Sequence, residues 1–191
     1  MGVAPPPVWP ELAGKTIGIL GYGRIGRSIA RRARVFGMKV CAIRRDVGQK
    51  AEDDPTLLLG PDRIEEMLWQ SDYLAAIQET VGRVGRKELA LMKLGAFLIN
   101  VAPAEIVGED ALYDALRHGS IAGAALDVWY RYPRAAGPAA PASRPFHELP
   151  NVLMTPHVAG WTDGMLGARA GLIAENIRRI SLREEPLNRI A

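Results

Sequence analysis

Two rhythms of apolar positions alternate along the chain. Short unbroken apolar runs read as buried strands: Thr16 to Leu20, Lys39 to Ile43, Asp72 to Ile77, Ala96 to Asn100, Ile121 to Val128 and Val152 to Met154. Between them, apolar residues recur at helical spacing. Ile25, Ile29 and Ala33 share one face, with Arg27, Arg31 and Arg34 on others, and Gly37 closes that helix. Pro61 suits the first turn of a helix running to Gln70, with Ile64, Met67 and Leu68 as its stripe. Further helices are expected over Arg86 to Met92, Glu109 to Arg117 and Thr162 to Leu182. Wholly apolar strands separated by helices predict an α/β fold: a doubly wound, parallel sheet with helices on both faces. Residues 1–10 are proline-rich and read as an extended lead-in to a single domain over 11–191, and Arg131 to Pro150 reads as a long proline-rich loop.

Composition narrows the picture a little. The apolar fraction of 48% and charged fraction of 24% over 191 residues are those of a globular domain, not of a disordered tail or a collagen-like fibre. No apolar run is long enough to span a bilayer, and the start lacks the basic and apolar regions of a secretory signal. Cys41 is the one cysteine, so no internal disulfide can form, and a cytoplasmic, reducing location is expected. The net charge of +3 comes mostly from arginines scattered over helices, with aromatics at only 6%, so neither nucleic acid nor a membrane is an expected partner. No metal site is expected.

The sharpest motif is Gly21-Tyr22-Gly23-Arg24-Ile25-Gly26, which follows a buried strand and opens an amphipathic helix. Gly21 permits the tight turn, Gly23 lets a dinucleotide pyrophosphate approach the backbone, and Gly26 lets helix and strand pack closely. The helix start offers N–H groups and partial positive charge to the phosphates. A glycine-rich turn without a ligand is the alternative. No Gly-Lys-Ser/Thr follows, which argues against a triphosphate loop. The second strand ends Ile43-Arg44-Arg45-Asp46. An acid at position 44 would repel a ribose 2′-phosphate, whereas an arginine attracts it, so NADP is preferred and NAD remains possible. Alternatively, Arg44 and Arg45 are solvated loop residues.

The segments LAGKTIGILGYGRIGR, LMKLGAFLIN, EDALYDALRHGSIAGAALDVW, LPNVLMTPHVAG and AENIRRI are similar, in that order, to the nucleotide-binding domain of the D-isomer-specific 2-hydroxyacid dehydrogenases. The resemblance runs from about Glu11 to the C-terminus. It implies a Rossmann-type domain that binds NAD(P), with Gly21, Gly23, Arg24, Ile25, Gly26, Arg44, Arg45, Gln78, Val101, Ala102, Asp127, His157 and Gly160 around the cofactor, and a homodimer. It also implies a substrate lobe lying mostly before the domain. Only ten residues precede residue 11, so the expectation is either part of a larger protein or a lone nucleotide-binding domain.

Catalysis in the family uses an arginine that holds the substrate carboxylate, a histidine that moves the hydroxyl proton and a glutamate that raises the histidine's pKa. His157, in Thr155-Pro156-His157, matches the histidine; a loop cap is its bland alternative. Pro103 stands at the arginine position and Tyr132 at the glutamate position, and the loop after Gln78 is shorter than the family pattern. The resemblance therefore implies hydride transfer between NAD(P)H and a 2-oxo or 2-hydroxy acid, with a small 2-oxo acid as partner only where a substrate lobe is supplied. The departures leave a non-catalytic dinucleotide-binding module as the alternative, and predict little or no turnover by this chain alone.

Overall fold

Thr16–Leu20 (β1) is bordered on both edges and buried along almost its whole length, so it is an interior strand of the sheet. One neighbour is Lys39–Ile43 (β2), which in turn pairs with Leu57–Leu59 (β3). On the other side follow Tyr73–Ala76 (β4), Phe97–Asn100 (β5), Gly123–Leu126 (β6) and Val152–Met154 (β7). The seven strands run in the order β3-β2-β1-β4-β5-β6-β7, and every pairing is parallel. The expected α/β, Rossmann-type architecture is thus present. This computed structural model describes residues 10–48, 55–77, 83–133 and 140–189. Of the expected lead-in, all but Pro10 lies outside the described residues.

Helices cover the two faces unequally. Arg24–Val35 (α1) packs Ala30 and Ala33 against Ile17, Ile19, Val40 and Ala42 on one face. Ile64–Gln70 (α2), Arg86–Ala90 (α3) and Glu109–Arg117 (α4) bury Met67, Leu68, Leu89, Leu112 and Leu116 on the other, with Leu20, Ile43, Leu74, Leu98 and Leu126 beneath them. Each such side chain contributes about 1.5–3 kcal/mol when fully buried, which makes this the larger of the two cores. On the α1 face, Phe97 and Leu153 remain exposed, and a groove runs over Tyr73, Phe97, Ile99 and Ala125.

Several expected bounds shift for local reasons. Strands predicted over 72–77 and 121–128 shorten to β4 and β6, because each ladder lasts only as long as the four-residue partner β5. β3 was not expected: three residues carry no periodicity, and the strand forms by pairing with Cys41–Ile43. The helix expected from Pro61 begins as a 3₁₀ turn, Pro61–Arg63, closed by the Arg63 N–H on the Gly60 carbonyl at 3.1 Å. α3 stops at Ala90, where the Leu91 and Met92 N–H groups tighten onto Glu88 and Leu89.

The proline-rich segment is less loop-like than its composition suggests. Ala142 and Phe146 are buried, and Phe146–Glu148 forms a 3₁₀ turn. The Phe146 ring meets Tyr113 edge-on at 5.5 Å and stacks on Tyr130 at 6.2 Å. The Glu109 carboxylate accepts from the Ser143 hydroxyl at 2.7 Å and the Arg144 N–H at 3.0 Å.

The chain divides into two compact units, Met1–Pro156 and His157–Ala191. The second holds Met165–Ser181 (α5), a shorter helix than the 162–182 expected. Glu175 bonds both Arg178 and Arg179, which hold its carboxyl down at about 2. The Asn176 side chain accepts from the Leu187 N–H at 2.7 Å and donates to its carbonyl, tying the tail back. No α5 side chain is buried, and Leu166, Ile173, Ile177 and Ile180 form an exposed stripe.

Because Phe146 fills the core from within the proline-rich segment, Phe146→Ala should destabilise the domain by about 3–5 kcal/mol. Urea unfolding measures this. A loss below about 1 kcal/mol, the range of ordinary surface changes, would contradict the packing described.

Candidate functional site

All seven strands point the same way, so the residues after them gather at one edge of the sheet. The strand order reverses direction between β1 and β4, and α/β ligands bind in the crevice at such a switch point. Gly21 follows β1 with φ 111°, a conformation open to glycine and strained for any other residue. The Gly21 and Tyr22 N–H groups both donate to the Ile43 carbonyl, which fastens this turn to the end of β2.

The other two glycines differ in an informative way. A Cβ on Gly26 would overlap the Gly21 carbonyl oxygen and crowd Ile77 at 3.0 Å and Ile19 at 3.1 Å, so the fold itself requires glycine there. A Cβ on Gly23 would meet nothing within 4 Å. The chain leaves that space open at the start of a 12-residue helix with no side-chain cap and no acid in its first turn. This is a cradle a Cβ would fill, beside a partial positive charge, and it fits a pyrophosphate. Arg24 and Ile25 are exposed on the same turn. Arg27 lies over the buried Tyr22 ring at 5.8 Å.

At the end of β2, the Arg44 N–H bonds the Leu59 carbonyl at 3.1 Å, and its Nε donates to the Asp46 carbonyl. Asp46 turns its carboxylate onto the Gly48 N–H at 2.9 Å, so it is occupied locally. Arg45 is exposed. Gln78 and residues 79–82, on which the expected shortening falls, lie outside the described residues.

A polar chain joins the ends of β5, β6 and β7. Buried Asn100 accepts the Ala102 N–H on Oδ1 at 3.1 Å, and its carbonyl accepts the Asp127 N–H. Asp127, also buried, accepts the Thr155 hydroxyl at 2.6 Å. Val101 is exposed on this rim and Ala102 is buried. Sequence reasoning singled out Asp127 but missed the side chains of Asn100 and Thr155; the available signal was a polar residue closing each apolar strand. Pro103 is exposed and opens the 3₁₀ turn Ala104–Ile106. The Tyr132 hydroxyl accepts the Trp129 N–H at 3.2 Å, which holds that ring back on its own turn. His157 and Gly160 open the second unit, His157 with φ 58°, a conformation that costs a non-glycine residue roughly 1–2 kcal/mol.

The family model for the D-isomer specific 2-hydroxyacid dehydrogenase, NAD binding domain, matches residues 5–159. The chain belongs to that family, as its NAD-binding domain. A glyoxylate reductase of Thermococcus gammatolerans is 37% identical over 171 residues, covering 87% of this chain and 48% of the relative. The chain thus spans about half the length of the curated relatives it matches. A D-isomer specific 2-hydroxyacid dehydrogenase of Xanthobacter autotrophicus, solved with NADPH and MES, is 30% identical with a TM-score of 0.79, over 96% of this chain and 74% of that one. A D-lactate dehydrogenase of Lactobacillus jensenii, solved with NAD+, is 27% identical with a TM-score of 0.77, over 96% and 58%. Nicotinamide dinucleotide binding is therefore the function of this 2-hydroxyacid dehydrogenase domain. Among the described residues, no helix is long and apolar enough to cross a membrane, and no group of three His, Cys, Asp or Glu could hold a metal ion.

The contrast between the two glycines is testable. Gly23→Val should leave Tm unchanged and weaken NAD(P)H binding by at least ~10-fold, because it blocks approach to the backbone. Gly26→Val should lower stability by about 1–3 kcal/mol, because it forces helix and strand apart. Calorimetric binding and thermal melts separate the two, and a Gly23→Val protein that binds normally would refute the assignment.

Proposed function

We propose that this chain is the cofactor half of an oxidoreductase that moves hydride between NADP(H) and a 2-oxo or 2-hydroxy acid. The observation that carries this is the open backbone at Gly23 beside the uncapped start of α1. The dinucleotide, when bound, supplies the hydride. The chain's own residues supply position. Gly21, Gly23, Arg24, Ile25 and Gly26 take the pyrophosphate, and the resemblance to the family assigns Gln78, Val101, Ala102, Asp127 and Gly160 to the rest of the cofactor. His157 holds and moves the hydroxyl proton at the reacting carbon, the role its motif has in the family.

The choice of NADP over NAD rests on Arg44 and Arg45 at the end of β2, where an acid would select the free ribose, and on Asp46 being turned onto Gly48. A guanidinium can bind a 2′-phosphate through two N–H groups. We place the protein in the cytoplasm, a reading supported by its single cysteine, which leaves no internal disulfide to stabilise the fold. We also propose a homodimer. It is supported by the exposed stripe Leu166, Ile173, Ile177 and Ile180 on α5, since apolar patches of this kind are usually covered by association.

NADPH should bind at least ~10-fold more tightly than NADH, and added salt should narrow the gap, because the preference is electrostatic. Arg44→Asp should reverse it. Calorimetric titrations that give equal affinities for the two would refute the NADP assignment. Light scattering should give twice the chain mass, and a monomer at high concentration would remove the dimer.

A further inference from the structure

A cleft of about 410 Å³ opens beside the ends of β6 and β7, entirely within the first unit. Its walls are apolar and well fixed. The Trp129 indole N–H donates to the Thr155 carbonyl at 2.9 Å, and the Tyr132 hydroxyl accepts the Trp129 backbone N–H. Met154, Pro133 and Pro156 complete the wall. Among the described residues, one that lines the cleft is charged: Arg131, whose backbone is pinned by its N–H on the Pro141 carbonyl at 2.9 Å. Arg131 is exposed, and none of the ion pairs among the described residues includes it.

An apolar, aromatic cleft with a cation among its lining residues selects one chemistry. A neutral apolar ligand would leave the guanidinium unused, and a small anion would leave the walls uncovered. We infer that this cleft binds a carboxylate with a bulky apolar tail, the carboxylate on Arg131 and the tail against Trp129, Tyr132 and Met154. The inference rests on the function proposed above and names its substrate class: a 2-oxo or 2-hydroxy acid with a large hydrocarbon or aromatic side chain. Arg131 supplies the planar, two-pronged donor that Pro103 cannot offer. The cleft lies at the carboxyl edge of the sheet, the edge at which the dinucleotide crevice opens.

The test uses 3-phenylpropanoate, its neutral amide and acetate as probes, with ligand-observed NMR on the 191-residue chain in the absence of dinucleotide. The phenyl acid should bind roughly tenfold more tightly than the amide, the scale of one charge-assisted bidentate contact at a half-open site, and roughly tenfold more tightly than acetate, which lacks the apolar tail. Arg131→Gln should abolish the advantage of acid over amide, and Arg131→Lys should restore part of it, as a point charge without the fork. Arg131 is exposed and outside the ion pairs among the described residues, so these variants should fold, which thermal melting checks. Equal binding of acid and amide, or unchanged acid binding by Arg131→Gln, overturns the inference. Parallel NADPH titrations keep the two readings apart. Lost acid–amide discrimination with NADPH binding intact removes this inference alone. Discrimination without NADPH binding upholds the carboxylate site on Arg131 and removes the cofactor assignment, and with it the reading of the ligand as a dehydrogenase substrate.

Discussion

The close approach of α1 to β1 at Gly26 is the contact on which the rest of the site depends. With no side chain at that position, the helix settles against Ile19 and Ile77, and its first turn sits directly over the Gly21 carbonyl. That packing fixes the direction of the helix axis. Its positive end is then delivered to the crevice where the strand order reverses. β1 is held from both sides, by β2 through five paired residues and by β4 through four, so the turn at Gly21 rests on a strand paired along both edges. A phosphate-binding turn on an edge strand would lack this support.

The two edges of the sheet carry polar groups with different work to do. At the amino edge, Asp72 accepts the Thr16 N–H at 2.8 Å and pairs with Lys93 at 3.0 Å. Burial alone would push its carboxyl up, but the Thr16 and Lys93 contacts outweigh it and hold the group below its usual value. That carboxylate is spent on tying β1 to β4. At the carboxyl edge, Asn100, Asp127 and Thr155 form a chain that ties β5, β6 and β7 together while leaving Val101 and Pro103 facing outward. The first arrangement closes the structure, and the second shapes a rim on which ligand-binding residues can vary without disturbing the core beneath.

This division accounts for what the sequence made legible. β1, β2 and β7 were readable to the residue, because each is an apolar run paired over its full length. The glycine motif was readable because its residues answer to steric demands, one of which Gly26 shows directly. The three-residue β3 was not, since only its neighbour makes it a strand. Phe146 was hidden for a related reason. A lone aromatic among prolines gives no periodic signal, and its place between Tyr113 and Tyr130 is set by residues more than a dozen positions away. The Asn100–Asp127–Thr155 chain was only half visible: the strand ends could be read, but not which of them would meet.

The departures at Pro103 and Tyr132 gain meaning from the shape of that rim. A substrate carboxylate needs a fork of donors near the reacting carbon, and the chemistry does not dictate which strand provides it. Position 103 follows β5 and position 131 follows β6, and these strands are direct neighbours with parallel register. An arginine can therefore pass from one strand end to the next and still serve the same edge of the sheet. The aromatic residues Trp129 and Tyr132 line the same cleft as Arg131, so charge and apolar surface lie together there. Moving the charge alone would relocate an anchor. On the inference drawn for the cleft, moving both changes which acids fit, so that the residues at 103 and 132 bear on substrate class as well as on lost groups.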